Sequence, residues 1–304
     1  MSIEVSILGC NSALPTSERH PSAQIVTLSG RTFLIDCGEG TQFMLRRMKV
    51  NFMRISHVFI SHLHGDHVFG LLGLISTMSL LNRKARLEIF AHPKLEELMR
   101  PHLDFFCDRL TYEVVFRPLQ TDGTHVIYSD KALSVESIAL KHRLPTCGFI
   151  FRESRRRPNM RKDAIARYGL GISDIARILE GCEYKDSEGN TVDRSLLLTE
   201  APEPASYAYC SDTQYMPDLA GRLRGVDTLY HEATFADDQA ALAKATMHST
   251  ARQAATVARD AGVRQLLIGH YSSRYHDTDL LRDEARSVFA DTIAVADGMR
   301  ISIG

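Results

Sequence analysis

A chain of 304 residues, 44% hydrophobic and 24% charged, has an ordinary globular composition and can bury a large core as one long α/β domain or two shorter ones. No apolar run reaches the roughly 20 residues that a membrane helix needs, and no basic-then-apolar leader opens the chain, so neither a membrane partner nor an export signal is expected. A formal net charge of −1 excludes a broadly basic surface, so any affinity for nucleic acid has to rest on a local patch.

In chain order, strands are predicted at Ile3–Leu8, Ala23–Leu28 and Arg31–Asp36, then at Val58–Ser61, Leu87–Ala91, Val114–Arg117 and Leu133–Leu140. Helical spacing falls between them at Gly40–Met48, Val68–Leu81 and Pro93–Leu103. Later strands are expected at Tyr207–Cys210, Thr228–His231, Gln265–Gly269, Thr292–Ala296 and Arg300–Ile303, with helices at Thr250–Ala261 and Asp279–Ala290. This mixed order predicts a layered α/β protein rather than a bundle or an all-β sandwich. Cys10, Cys37, Cys107, Cys147, Cys182 and Cys210 are scattered without a CxxC pair, the pattern of reduced thiols in a cytoplasmic protein.

Residues 152–198 break the pattern. Charge is dense there, beginning with Arg155, Arg156, Arg157, Arg161 and Lys162, and apolar residues are too sparse to predict an independent core. Short helices are expected near Asp163–Tyr168 and Ile172–Leu179, with a turn at Asp186–Asn190. The segment reads either as a solvated surface insertion or as an arm whose arginines meet phosphates.

The strongest chemical signal is His62-Leu-His64-Gly-Asp66-His67, set between a buried strand and an apolar helix. Three imidazoles and a carboxylate within six positions are costly to desolvate unless they share a cation, and they are donors that Zn²⁺ accepts. Three later strands run into ligand-type residues: His142, Asp212 and His270. Sites in layered α/β proteins assemble at carboxyl ends of strands, so these three are expected to converge on the first cluster.

The His62-x-His64-x-Asp66-His67 motif, followed by His142, Asp212 and His270, resembles the metallo-β-lactamase superfamily. Leu34-Ile-Asp-Cys-Gly-Glu-Gly-Thr-Gln42, Ser211-Asp-Thr213, His231-Glu-Ala-Thr234 and His248-Ser-Thr250 narrow the resemblance to its ribonuclease Z branch. That resemblance implies a four-layered αββα sandwich, one domain over residues 1–304, with the 152–198 arm inserted in it as an exosite. It implies two Zn²⁺ per chain, or Mn²⁺ or another divalent ion by supply. His62, His64, His142 and Asp212 would hold one ion, and Asp66, His67, Asp212 and His270 the other. Asp66 would orient the attacking water, His248 would act on the scissile phosphate, and Glu232 would fix the His248 ring. Arg19, Thr213 and the arm cations would bind substrate. Precursor tRNA as substrate, removal of its 3′ trailer as the reaction, and a homodimer as the assembly follow from the same resemblance.

Two features depart from the branch. Leu14-Pro-Thr-Ser-Glu-Arg-His20 carries His20 where the branch usually has asparagine, and Gly169-Leu-Gly-Ile-Ser-Asp174 stands where a Gly-Pro motif is usual. Other readings are a small-substrate phosphodiesterase of the same fold, for example on cyclic nucleotides, and a noncatalytic zinc-holding RNA binder. A thiolester or lactam hydrolase fits less well, because Asp212 and the two later motifs suit phosphodiesters. His231 reads as structural, and His57, His92, His102, His125 and His276 as surface or core residues.

Overall fold

The structure is a computed structural model describing residues 3–107, 109–154, 158–201 and 203–304. The chain divides into two compact units, one running to Glu153 and resuming at Ala205, the other spanning Ser154–Pro204.

The larger unit is built on two seven-stranded sheets. The first takes β1 (Ile3–Gly9), β2 (Ala23–Leu28), β3 (Arg31–Ile35), β4 (Ile55–Phe59), β5 (Leu87–Ala91) and β6 (Val114–Pro118) in spatial order. The second takes β7 (Thr124–Ser129), β8 (Leu133–Leu140), β9 (Thr146–Glu153), β10 (Ser206–Cys210), β11 (Thr228–Glu232), β12 (Gln265–Gly269) and β13 (Thr292–Ala294). The chain then returns as β14 (Arg300–Ile303) to pair antiparallel with β1. Strands β3 to β6 are mutually parallel, as are β10 to β13.

Side-chain alternation assigns each face. Phe33, Ile35 and Phe59 join the core between the sheets, together with Phe149, Phe151, Tyr207 and Tyr209. Their neighbours Leu34 and Val58 point the other way, onto α1 (Thr41–Arg47), α3 (Leu71–Leu80) and α4 (Lys94–Phe106). The alanine face of α10 (Ala251–Ala261) and Leu281 and Ala285 of α11 (Asp279–Arg286) cover the second sheet. Helix, sheet, sheet, helix is therefore the layer order, the expected αββα sandwich.

Several local expectations need correction. The helix expected over Val68–Leu81 is two pieces, α2 (Gly65–Val68) and α3. The break is at Gly70, whose N–H donates to the Cys37 carbonyl at 2.8 Å and whose missing Cβ would lie 2.2 Å from the Gly38 carbonyl oxygen. Strands β7 and β9 were not anticipated. The first is an exposed edge with little apolar patterning, and the second is buried on both faces, so neither has the alternation that marks a strand.

The smaller unit also differs from expectation. Arg152 and Glu153 are not arm residues, because they pair within β9 against Ser134, Ser206 and Leu133. The unit holds α5 (Lys162–Tyr168), α6 (Ile172–Leu179) and α7 (Arg194–Leu197), and it has a core of its own. Ala164, Leu170, Ile178, Leu197 and Leu198 are buried together, with Met160, Tyr168 and Tyr184 packed on them. The sequence looked too sparse because Leu197 and Leu198 contribute from far along the chain. Arg155, Arg156 and Arg157 lie outside the described residues.

Candidate metal centre

The ligand-type residues sit where strands end. Beyond β4, the N–H of Ser61 is fastened to Asp36 Oδ1 at 2.7 Å, which directs the following His62–His64 turn into α2. Asp66 and His67 ride on α2 itself. His142 and Asp212 each follow the last residue of β8 and β10 by two positions, and His270 follows β12 directly. Asp36 and His270 both adopt left-handed backbone, φ 53° and 62°, a conformation costing such residues about 1–3 kcal/mol and often found at functional sites.

His62, His64, His142 and Asp212 form one group that could hold an ion, and Asp66, His67 and His270 form another. Within each group the ligating atoms lie within 4.8 Å of one another. Asp212 faces both. Its Oδ1 lies 3.1 Å from His270 Nε2 and 3.4 Å from His67 Nε2, while its Oδ2 lies 3.6 Å from His62 Nε2 and 3.8 Å from His142 Nε2. Buried Asp212 Oδ1, His67 Nε2 and His270 Nε2 make no hydrogen bond. Orphaned buried groups of this kind are rare, and a cation between them satisfies all three. The donor set thus fits divalent metal.

Outer contacts fix the rings. Nδ1 of His67 donates to Asp36 Oδ2 at 2.8 Å, Nδ1 of His142 to the Met247 carbonyl at 2.9 Å, and Nδ1 of His270 to Thr234 Oγ1 at 2.9 Å. Each contact leaves Nε2 as the nitrogen that faces the centre. Asp36 also accepts from Ser61 Oγ and the Tyr209 hydroxyl, at 2.9 and 2.8 Å. Burial and the neighbouring His67 hold His62 well below the usual imidazole range, and burial and His142 lower His64. Burial opposes charge on Asp212, but His270, His67 and His62 hold its carboxyl well below the usual range.

His248 Nδ1 lies 2.9 Å from Glu232 Oε1. The buried Glu232 carboxylate also accepts from the backbone N–H of Thr213, Ser249 and Thr234 and from the Thr234 hydroxyl. Burial works against a charged His248, yet Glu232, and beyond it Asp212 and Asp66, raise the ring to about 9. Thr250 caps α10 in a reciprocal pair with Gln253, so His248 is not needed as a cap.

A cavity of about 430 Å³ opens over the centre, lined by Asp66, Asp212, His248 and His270 among others. Not every expected substrate-binding residue faces it. Thr213 is fully buried, its hydroxyl shared among the Lys141 N–H and the carbonyls of Lys141 and Gln214. Arg19 donates to the Tyr275 carbonyl and lies 5.7 Å over the Tyr271 ring, so its charge is turned into the fold. His20 is held by Asp297 through Nδ1 at 2.8 Å. Arg161 in the smaller unit is exposed and paired with Asp163 at 3.1 Å, and Lys162 begins α5. His231 is buried, its ring bonded to the Glu232 carbonyl and outside every ligand group.

Sequence reasoning overlooked Asp36 and Thr234 as ring holders, although both lie inside motifs it singled out. It also missed Phe69 and Arg143 on the cavity wall. Arg143 follows a ligand directly, is exposed, and has no ion pair among the described residues, a signal available from position alone.

A two-sheet sandwich whose strand ends gather five histidines and two aspartates defines a metallo-β-lactamase-fold protein. The beta-lactamase superfamily domain profile matches residues 190–271, and a profile described as anti-Pycsar protein Apyc1 matches residues 3–153. The ribonuclease Z of Phocaeicola vulgatus is 47% identical over 99% of this chain and 97% of its own, and that of Bacteroides fragilis 47% identical over 99% of both. The crystal structure of human tRNase Z, short form, superposes with TM-score 0.73 at 25% identity, covering 99% of each chain. The chain belongs to the ribonuclease Z family.

Proposed function

We propose that this protein is a metal-dependent endoribonuclease that removes the 3′ trailer of precursor tRNA, leaving a 3′-hydroxyl on the tRNA and a 5′-phosphate on the trailer. The placement of Asp212 carries the reading: one carboxylate faces two separate ligand groups, as two-metal phosphodiester hydrolysis requires. Relatives named ribonuclease Z along the whole chain point to the substrate.

His62, His64, His142 and Asp212 would hold one ion and Asp66, His67, Asp212 and His270 the other, with zinc as the ion and two per chain. When bound, the pair supplies charge neutralisation at the phosphoryl oxygens and activation of water. Asp66, on the cavity wall, orients that water. Glu232 keeps His248 Nδ1 protonated and the ring charged, so Nε2 donates to the phosphoryl or leaving oxygen in the cavity. Arg143 at the rim offers a cation to a flanking phosphate. A homodimer and a cytoplasmic site of action complete the reading, the latter supported by free, buried Cys10, Cys37, Cys147 and Cys210.

The test is incubation of purified, zinc-loaded protein with a precursor tRNA bearing a short 3′ trailer. A single cut with the stated ends, stopped by a chelator, is expected. Turnover of a cyclic nucleotide with no cut in the precursor overturns this reading in favour of the small-substrate phosphodiesterase.

A further inference from the structure

Phe69 is 73% exposed, yet it is not a stray surface residue: it lines the cavity over the metal centre. Single exposed apolar side chains are common and need no explanation. The seat of this ring is what sets it apart. A Cβ on Gly65 would lie 2.2 and 2.3 Å from two of its ring carbons, so the ring rests on the bare backbone between His64 and Asp66. The glycine within the histidine motif therefore admits an aromatic plane beside the residues that face the phosphate. The same cavity is lined by His248 and by the Arg143 cation. Anion-binding groups beside an open aromatic face match the two halves of a nucleotide.

We infer that Phe69 is a base platform, stacking the nucleobase of a nucleotide next to the phosphodiester being cut. Phenylalanine offers a π-face and no hydrogen bond, so it grips any base without reading it. That suits an enzyme whose substrates differ in sequence at the cleavage point. The inference deepens the proposed phosphodiesterase chemistry but does not depend on tRNA as the substrate.

Two esters with one leaving group separate base from phosphate: thymidine 5′-(p-nitrophenyl phosphate), and methyl p-nitrophenyl phosphate, which has no base. The native zinc-loaded protein should prefer the nucleoside ester. Phe69→Ala should lower kcat/KM on that ester by roughly 5- to 150-fold and leave the methyl ester unchanged, with Phe69→Tyr restoring the preference. Absence of a native preference, an equal fall on both esters, or failure of tyrosine to restore overturns the inference. So does a change in oligomeric state by light scattering with the ester ratio intact, which would assign the ring to a subunit contact. Precursor tRNA cleavage, followed on the same native sample, judges the substrate reading separately. A native protein that leaves the precursor whole while the ester ratio falls in Phe69→Ala would sink the tRNA reading and keep the platform.

Discussion

In the proposed chemistry His248 is the residue through which charge state acts on rate. Glu232 beside it holds the imidazolium, raising the ring to about 9 against the cost of burial. As a donor it acts in the protonated form, which is present below that value and lost above it. Cleavage should therefore hold through neutral pH and fall as pH rises through about 9. His248→Ala should lower kcat by roughly 10²–10⁴-fold, remove that alkaline limb, and leave metal content unchanged. Loss of bound metal in the variant, or a native rate still rising past pH 10, refutes the assignment. The groups that gather here were legible because metal donors must crowd together in sequence or at strand ends. The outer contacts were not: Asp36 and Thr234 act through a specific ring nitrogen, and sequence carries no trace of which nitrogen that is. Thr213 and Arg19 show a further limit, since a motif position says nothing about which way a side chain turns.

Element by element, the fold was read well where a local pattern bounds the strand. Strands β2, β5, β8, β12 and β14 have the boundaries the sequence predicted, because alternation or a bounded apolar run marks each. Reading failed where tertiary contact overrides local pattern. An apolar run from Val68 to Leu81 has helical spacing throughout, and only the packing of Gly70 against the turn at Cys37–Gly38 divides it. Gly70→Ala tests that account. Its Cβ would meet backbone, which cannot swing aside, so the turn or α3 has to shift. Overpacking of this kind costs about 1–3 kcal/mol, and the strain falls beside Asp66, whose carbonyl already approaches Gly38. The expected result is a lower Tm together with weaker metal retention. An unchanged Tm would show that the division of the helix has another cause.

At the scale of the whole molecule, the segment Ser154–Pro204 is a separable unit with its own small core, and no ligand-type residue of the metal centre lies in it. The sequence marked the segment by its charge but could not reveal its core, which is assembled from positions more than 30 residues apart, Ala164 and Leu197 among them. Its nine basic residues are matched by nine acidic ones, so it is not cationic as a whole. Positive charge is concentrated at Arg155–Lys162, where contact with distant tRNA phosphates is expected. The larger unit offers a clean place to cut. Strands β9 and β10 run antiparallel, and the Glu153 N–H donates to the Ala205 carbonyl at 2.9 Å, so a short Gly-rich turn can replace residues 154–204 without opening the sheet. The shortened protein should keep its metal and its turnover of bis(p-nitrophenyl) phosphate. Binding of precursor tRNA should weaken, with a flatter dependence on salt because fewer phosphates are neutralised, and processing should fall with it. Both substrates belong on one preparation, since misfolding would depress both together. Loss on tRNA alone assigns recognition to this unit. Full processing without it would make Arg155–Lys162 a solvated face, and would leave the cavity around Phe69 and Arg143 to recognise the substrate unaided.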